Sequence, residues 1–546
     1  MRTKLSKLIA IAFILLTTLG GAISGYAAPG SRPANGDLTI HKHWAETSGD
    51  IGNEGSGEKL PDGAITNPAV KGIQFDVYSM TPVAPATEIP PSEKDGWTYS
   101  RTDNVLTVSK SGETSMTYNL VKKVADAKYT DGKTDANGEL KYSGLAAGYY
   151  FVEENLTAST GYEVQGTGNA GKTITSTAKP FITAVPMTNP AGDGWNSDVH
   201  VYPKNQGLSP EKEPEVPSVN VGDKVKWTIT ANVPSDIAGY KKFDVIDELD
   251  KRLNYVTNSV KIVGLDSGDT EVITLTPIDF EVVHTPATDS AKESIKIELK
   301  DTGIAKLGTS GVVKVAISFE TIVNGNIKSD DENAIENDAS IEFDNGTIVD
   351  VDETPVTTVH TGEIKINKTY SGGTVTESAQ FQLAKTSVDA EAGNYYRVVL
   401  DSSNSYITDI VAPGETGYDT AKKWVALPSQ AATGETVGLV GDIFYVTSFE
   451  GLRTYTGPDD NKVFDSYYLV ETKAPEDYNL LDEPVEVTFT ETDLGTKYIH
   501  TEAIENKKGF TLPNTGGVGT ILLVVFGIVL IGLAIILTMN KKKKTA

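Results

Sequence analysis

Cysteine is absent from all 546 residues, so this chain has no disulfide, no thiolate metal ligand and no thiol nucleophile. Histidine is nearly as scarce. The six are scattered apart from His41 and His43, which alternate on a candidate first strand, and no zinc set is supported. Basic residues are in the minority, 48 Lys and Arg against 74 Asp and Glu, for a formal charge of −26. Such a surface repels nucleic acid and anionic membranes and keeps the chain solvated. No Ser/His/Asp or H-E-x-x-H arrangement emerges, so neither turnover catalysis nor a cofactor or metal is expected. Helical periodicity and long apolar runs are missing everywhere except at the two ends.

Those ends carry charges of one sign beside apolar runs. Arg2, Lys4 and Lys7 precede the apolar stretch from Leu8 to Leu19, and Gly25-Tyr26-Ala27 offers the small residues that a signal peptidase reads. Cleavage is expected after Ala27, because cutting after Ala28 would put Pro29 in the next position. At the other end an apolar run from Val518 to Met539 is long enough to span a bilayer, and Lys541 to Lys544 would hold its end in the cytoplasm. Both ends lack Asp and Glu, so the part between them is more acidic than the whole.

Between the ends, short runs rich in Val, Ile, Thr, Tyr and Phe alternate with Gly, Asp, Asn and Pro punctuation. Val199 to Tyr202, Val225 to Thr230, Val312 to Phe319 and Val485 to Phe489 are examples, and the spacing predicts an all-β chain of sandwiches. Joints near Lys204 to Val219 and Asp352 to Gly362 divide it into three parts. The first and third look like copies of one design. Leu38-Thr39-Ile40-His41-Lys42, Ile73 to Tyr78 and Gly148 to Glu154 in one correspond to Ile364-Lys365-Ile366-Asn367-Lys368, Ala379 to Leu383 and Tyr467 to Thr472 in the other. Alternation puts Lys368 on the face of Ile364 and Ile366, and Glu471 on that of Leu469. Buried Lys and Glu are costly unless paired, so the pattern demands a chemical reason.

The pentapeptide Leu512-Pro513-Asn514-Thr515-Gly516, followed by the apolar run and the lysines, resembles the LPxTG cell-wall sorting signal of Gram-positive surface proteins. The resemblance implies that a sortase cuts between Thr515 and Gly516 and holds Thr515 as a thioester; without the pentapeptide the reading is a plain single-span anchor. The segment Tyr467 to Tyr478 resembles the E-box of sortase-assembled pilins, with Asp477 where that pattern usually has Gly, and its domain resembles the CnaB-type immunoglobulin-like fold. In that family a first-strand Lys and a last-strand Asn condense, with loss of ammonia, into an intramolecular isopeptide bond. This implies Lys368 and Asn506 as partners and Glu471 as the acid, although the same residues allow a buried ion pair with no bond. Apolar burial favours the neutral forms that the condensation needs.

The middle part, through Asn220 to Ile229, Phe243 to Leu249 and Asn337 to Ile341, resembles the CnaA-like domain of the same proteins. The resemblance implies Asp247 as acid, Asn337 as acceptor and a donor ahead of Asn220, for which Lys212 is chosen. In the first part the corresponding trio is Lys42, Glu153 and Asn205. Trp195-Asn196-Ser197-Asp198-Val199-His200-Val201-Tyr202-Pro203-Lys204 resembles the pilin motif WxxxVxVYPK, whose lysine attacks the sortase thioester of another subunit. That implies an amide between Lys204 of one copy and Thr515 of the next.

The resemblance as a whole implies tandem immunoglobulin-like sandwiches, CnaB-like, CnaA-like and CnaB-like, in the major shaft subunit of a sortase-assembled pilus. The expected divisions are a signal peptide (1–27), an N-terminal domain ending in the pilin motif (28–206), a middle domain (207–360), a C-terminal domain with the E-box (361–508) and the sorting signal with its span and basic tail (509–546). Implied partners are a class C-type pilin sortase, a housekeeping sortase, other copies head to tail, minor tip and base pilins, and peptidoglycan. The location would be the wall-anchored surface pilus, after a membrane-held precursor. The alternative is a monomeric wall-anchored adhesin that binds a host matrix protein; it would need Thr515 but not Lys204. Gly166 to Gly171 satisfies G-x-G-x-x-G without a following helix and reads as a loop. Asp401-Ser402-Ser403-Asn404-Ser405 reads as a polar turn, and Asp131 to Asn137 lacks the terminal Glu of an EF-hand calcium loop.

Overall fold

The computed structural model describes residues 30–45, 55–61, 63–288, 291–326, 333–372, 375–428, 436–458, 460–509 and 518–542. The expected signal peptide and the pentapeptide Leu512 to Gly516 lie outside the described residues.

Alternation dictates the strands. In Lys224–Asn232, Val225, Trp227, Ile229 and Ala231 point inward while Lys224 and Lys226 stay in solvent, so one face is core and the other is wet. Repeated along the chain, this pattern gives an all-β molecule of packed sheets. Residues 35–206 form a three-stranded sheet, ordered Asp198–Val201, Asn35–His41, Glu139–Ala146, against a six-stranded one that includes Gln74–Val83 and Gly148–Asn155. Residues 211–360 form a six-stranded sheet that begins with Glu211–Pro214 and Lys224–Asn232, and a five-stranded sheet centred on Lys242–Glu248. Residues 362–506 repeat the first plan. Gly362–Tyr370 lies between Phe449–Leu452 and Ile499–Asn506, and the larger opposing sheet contains Gln380–Ala384 and Ser466–Lys473.

In the first and third stretches the opening strand pairs parallel with the closing one, Leu38 level with Val199 and Lys368 level with Ile504. Such pairing brings residues far apart in sequence side by side at one end of a sheet. The apolar cores follow the stretches unevenly. One contiguous core runs from Leu208 to Ile504 through the middle and third stretches, whereas the first has its own core and a small satellite of Tyr78, Leu106, Val108, Tyr118, Leu120 and Phe151. Beyond the sheets, Val518–Lys542 is a single 25-residue helix whose described side chains are all but bare of protein contact. At 1.5 Å per residue it reaches roughly 37 Å, enough to cross a bilayer's hydrocarbon.

Candidate functional site

Among the described residues three clusters of a lysine, an acid and an asparagine occur, one in each stretch, with the lysine buried in the first two and half-buried in the third. In the third, the parallel register sets Asn506 two residues beyond Ile504, the partner of Lys368, so both side chains share the inner face. Glu471 enters from the opposing sheet, level with Phe381. Asn506 Nδ2 donates to Glu471 Oε1 at 2.8 Å and to the Asn479 carbonyl at 3.0 Å, and Glu471 Oε2 accepts from the Leu481 N–H at 3.0 Å. Asn506 Oδ1 is buried without a hydrogen-bond partner. The Lys368 amine donates to the carbonyls of Thr369 (3.1 Å) and Ile504 (3.4 Å) and sits 4.4 Å from the Tyr370 ring centroid. Burial lowers the Lys368 pKa to about 8, opposed by Glu471, and burial raises that of Glu471. Both shifts favour a neutral amine beside a protonated acid.

The first stretch repeats this offset. Lys204 is level with His43, so Asn205 again stands two residues beyond the position opposite Lys42. The Asn137-Gly138 turn closes over the same spot: Gly138 has φ +73° and its position leaves a Cβ only 2.2 Å from the Lys42 carbonyl oxygen. The acid is Glu154, however, and not Glu153. Lys42 Nζ lies 3.0 Å from Glu154 Oε2 with both side chains fully buried, and Asn205 Nδ2 donates to the two Glu154 oxygens at 2.9 and 3.1 Å. Glu153 points to the opposite side of the sheet and holds Arg101 at 2.6 Å. The physical reason is the satellite core: it buries Phe151 on the outer face, so both faces of Gly148–Asn155 look apolar and matching the Tyr-Tyr pairs slips the register by one. Glu154 is level with Phe75 as Glu471 is level with Phe381, and each Phe follows a Gln. That Gln-Phe pair was the signal in the sequence that identifies the inward acid. Burial lowers the Lys42 pKa.

In the middle stretch Lys212 alternates inward between exposed Glu211 and Glu213, level with Ile229. Its amine hydrogen-bonds Asp247 Oδ2 and the Asp338 carbonyl (3.0 Å), over the rings of Trp227 (5.1 Å) and Phe319 (5.5 Å). Asn337, adjoining that carbonyl, is buried and neither of its amide atoms has a partner. Burial raises Asp247 to about 6 against the pull of Lys212, and lowers Lys212. The expected donor, acid and acceptor are thus neighbours, and the charged flanks of Lys212 face solvent.

Lys204 is less buried than Lys42 and Lys212. Asn205 is fully buried, while Lys204, the preceding residue on the short strand Lys204–Gln206, is only half-buried. The stretch before it is fastened at several points. Trp195 Nε1 donates to the Gly30 carbonyl at 2.8 Å, Val199 is buried, and the Tyr202 ring stacks on His41 (4.6 Å) and His43 (6.5 Å). His41 Nε2 and His200 Nδ1 are 2.8 Å apart. Elsewhere, Asp401 spends its carboxylate on the N–H groups of Ser403, Ser405 and Tyr406, and Asp135 on those of Asn137 and Glu139, so each is a self-capped turn.

Residues 33–206 match the family model of the Gram-positive pilin subunit D1, N-terminal domain, and residues 504–546 match the LPXTG cell wall anchor motif. The chain is 28% identical over 479 residues to a fimbrial subunit type 1 of Actinomyces viscosus, covering 81% of this chain and 85% of the relative. It is 26% identical over 529 residues to a fimbrial subunit type 2 of Actinomyces naeslundii, covering 92% and 88%. Among solved structures it is similar to the full-length major pilin SpaD of Corynebacterium diphtheriae, with 22% identity, a TM-score of 0.49, and coverage of 87% and 98%.

Proposed function

We propose, from the premise that this chain is a major pilin of a sortase-assembled Gram-positive pilus, anchored to the cell wall, that it is polymerised through Lys204 and Thr515 and locked by three internal isopeptide bonds. The observation that supports the polymer reading is the contrast on one short strand: Asn205 is held in the core by Glu154, and the adjacent Lys204 is only half-buried. A pilin-type sortase would hold Thr515 of one copy as a thioester, and Lys204 of another would displace it to form an amide. The contact is heterologous and does not close, which is what a filament requires. A housekeeping sortase would transfer the finished fibre to peptidoglycan, with minor pilins at its tip and base.

Within each subunit the neutral lysine amine would attack the asparagine Cγ, the acid would protonate the departing nitrogen, and ammonia would leave as the Nζ–Cγ amide forms. The pairs are Lys42 with Asn205 under Glu154, Lys212 with Asn337 under Asp247, and Lys368 with Asn506 under Glu471. The contacts of each acid support the reading: Glu154 holds both the amine and the amide, Asp247 holds the amine, and Glu471 holds the amide. Divisions at residues 206 and 360 make these the three domains of the shaft, each closed by its own bond.

The test is a denaturing immunoblot of wall material released by a muralytic enzyme, comparing wild type with Lys204→Ala. A high-mass ladder that collapses to monomer in the variant is expected. Monomer in both strains would overturn the polymer reading in favour of a singly anchored adhesin.

A further inference from the structure

The acceptor amides of the three clusters share a mark: each is buried and leaves at least one amide atom without a partner, Oδ1 in Asn205 and Asn506 and both atoms in Asn337. Among the described residues one further buried carboxamide carries it. Gln206 is 2% exposed and its Nε2 has no partner, a costly state for a primary amide out of water.

The surroundings of Gln206 supply the rest of an acyl-transfer site. Ser176 and Gln206 are directly opposed in an antiparallel bridge, each N–H donating to the other's carbonyl at 3.3 Å, and their side chains therefore leave the same face of the pair. Ser176 is buried. Both side chains converge on one turn of the middle stretch: the Ser235 N–H donates to Gln206 Oε1 at 3.2 Å, and the Asp236 carboxyl lies beside the Ser176 hydroxyl. A hydroxyl, a carboxylate beside it, a backbone N–H on the amide oxygen and an amide nitrogen without a partner are gathered at the junction of the first and middle stretches.

We infer that Ser176 and Gln206 are joined by an intramolecular ester. Asp236 takes the Ser176 proton, and Oγ attacks Gln206 Cδ while the Ser235 N–H bears the developing oxyanion. The Cδ–Nε2 bond then breaks, the departing nitrogen receives the proton from Asp236, and ammonia leaves through the exposed turn that carries Asp236. One C–O bond forms, one C–N bond breaks, and no oxidant or cofactor is used. Burial of both partners excludes the water that would hydrolyse the product. The bond stands independently of the fibre reading. If that reading holds, the ester also ties the strand bearing Lys204 to a second strand where load enters from the next subunit.

Peptide mapping of the secreted full extracellular chain by mass spectrometry tests it. In wild type the peptide containing Gln206 is expected to be linked to that containing Ser176, one ammonia lighter than their sum, and alkaline hydroxylamine should release the Ser176 peptide. Asn205 lies on the same peptide, so an isopeptide bond there would add the Lys42 peptide, which hydroxylamine leaves attached; the two crosslinks are read separately. Ser176→Ala and Asp236→Asn should each lose the ester while retaining the Lys42 link, which reports that the domain still folds. Recovery of wild-type Ser176 and Gln206 peptides unlinked would overturn the inference.

Discussion

Glu471→Gln replaces the acid by its isostere, keeping an oxygen for the Leu481 N–H and a group of the same volume beside Asn506. Under the proposed chemistry it removes the proton that the departing ammonia would take. The variant should therefore fold around an unreacted Lys368 and be heavier by one ammonia, less the small Glu-to-Gln difference. The bond would close a loop holding nearly the whole third stretch, and by the chain-entropy relation for crosslinks a loop of a hundred residues or more contributes about 5 kcal/mol. At about 2.1 cal/mol/K per residue, a joint unit of roughly 300 residues shifts by about 1.6 °C per kcal/mol, so the variant should melt about 8 °C lower. Because the middle and third stretches share one apolar core, that shift should appear in their joint transition rather than in that of the first stretch. Differential scanning calorimetry and intact mass on the same sample decide the matter. A variant that still lacks the ammonia, or one that has regained it and melts where wild type does, would refute the reasoning.

Other outcomes follow from the same geometry. Glu154→Gln should prevent the Lys42 to Asn205 bond, whereas Glu153→Gln should leave it intact and cost about 1 kcal/mol or less, the worth of a surface pair with Arg101; peptide mapping separates them. Burial, then the charge of His200, lowers His41 to about 4 from the usual 6.5. Between those values the unfolded chain binds the extra proton, so stability from this group is complete above pH 6.5 and lost as pH falls toward 4, by about 2 kcal/mol once solvent screening of the half-buried ring is allowed for. The first stretch should show this loss as a falling melting temperature over that window, and His41→Gln should flatten it; an unchanged slope in the variant would refute it.

How much was legible in the sequence depended on the range of the interaction. The terminal apolar runs, the alternation of Lys224–Asn232 and the inward turn of Lys368 and Glu471 are local, set by a period of two and by hydropathy, and the residues alone were enough for them. Lys212 stands between two glutamates, yet alternation alone suffices to bury it, and the glutamates are the exposed neighbours that the same rule requires.

The sequence by itself determined the strands and, through its motifs, named the lysines and asparagines that the clusters contain. Tertiary structure decided which of two adjacent glutamates faces Lys42, because a second small core on the outer side of that sheet erases the contrast between faces. It also decided that Gln206 is buried against Ser176 and the Ser235 turn, where nothing in its own neighbourhood of Lys, Asn and Gly marks it as interior. Burial of that kind depends on what packs from another stretch of the chain. Local pattern fixes which way a side chain points, and only the packed neighbour fixes what it meets.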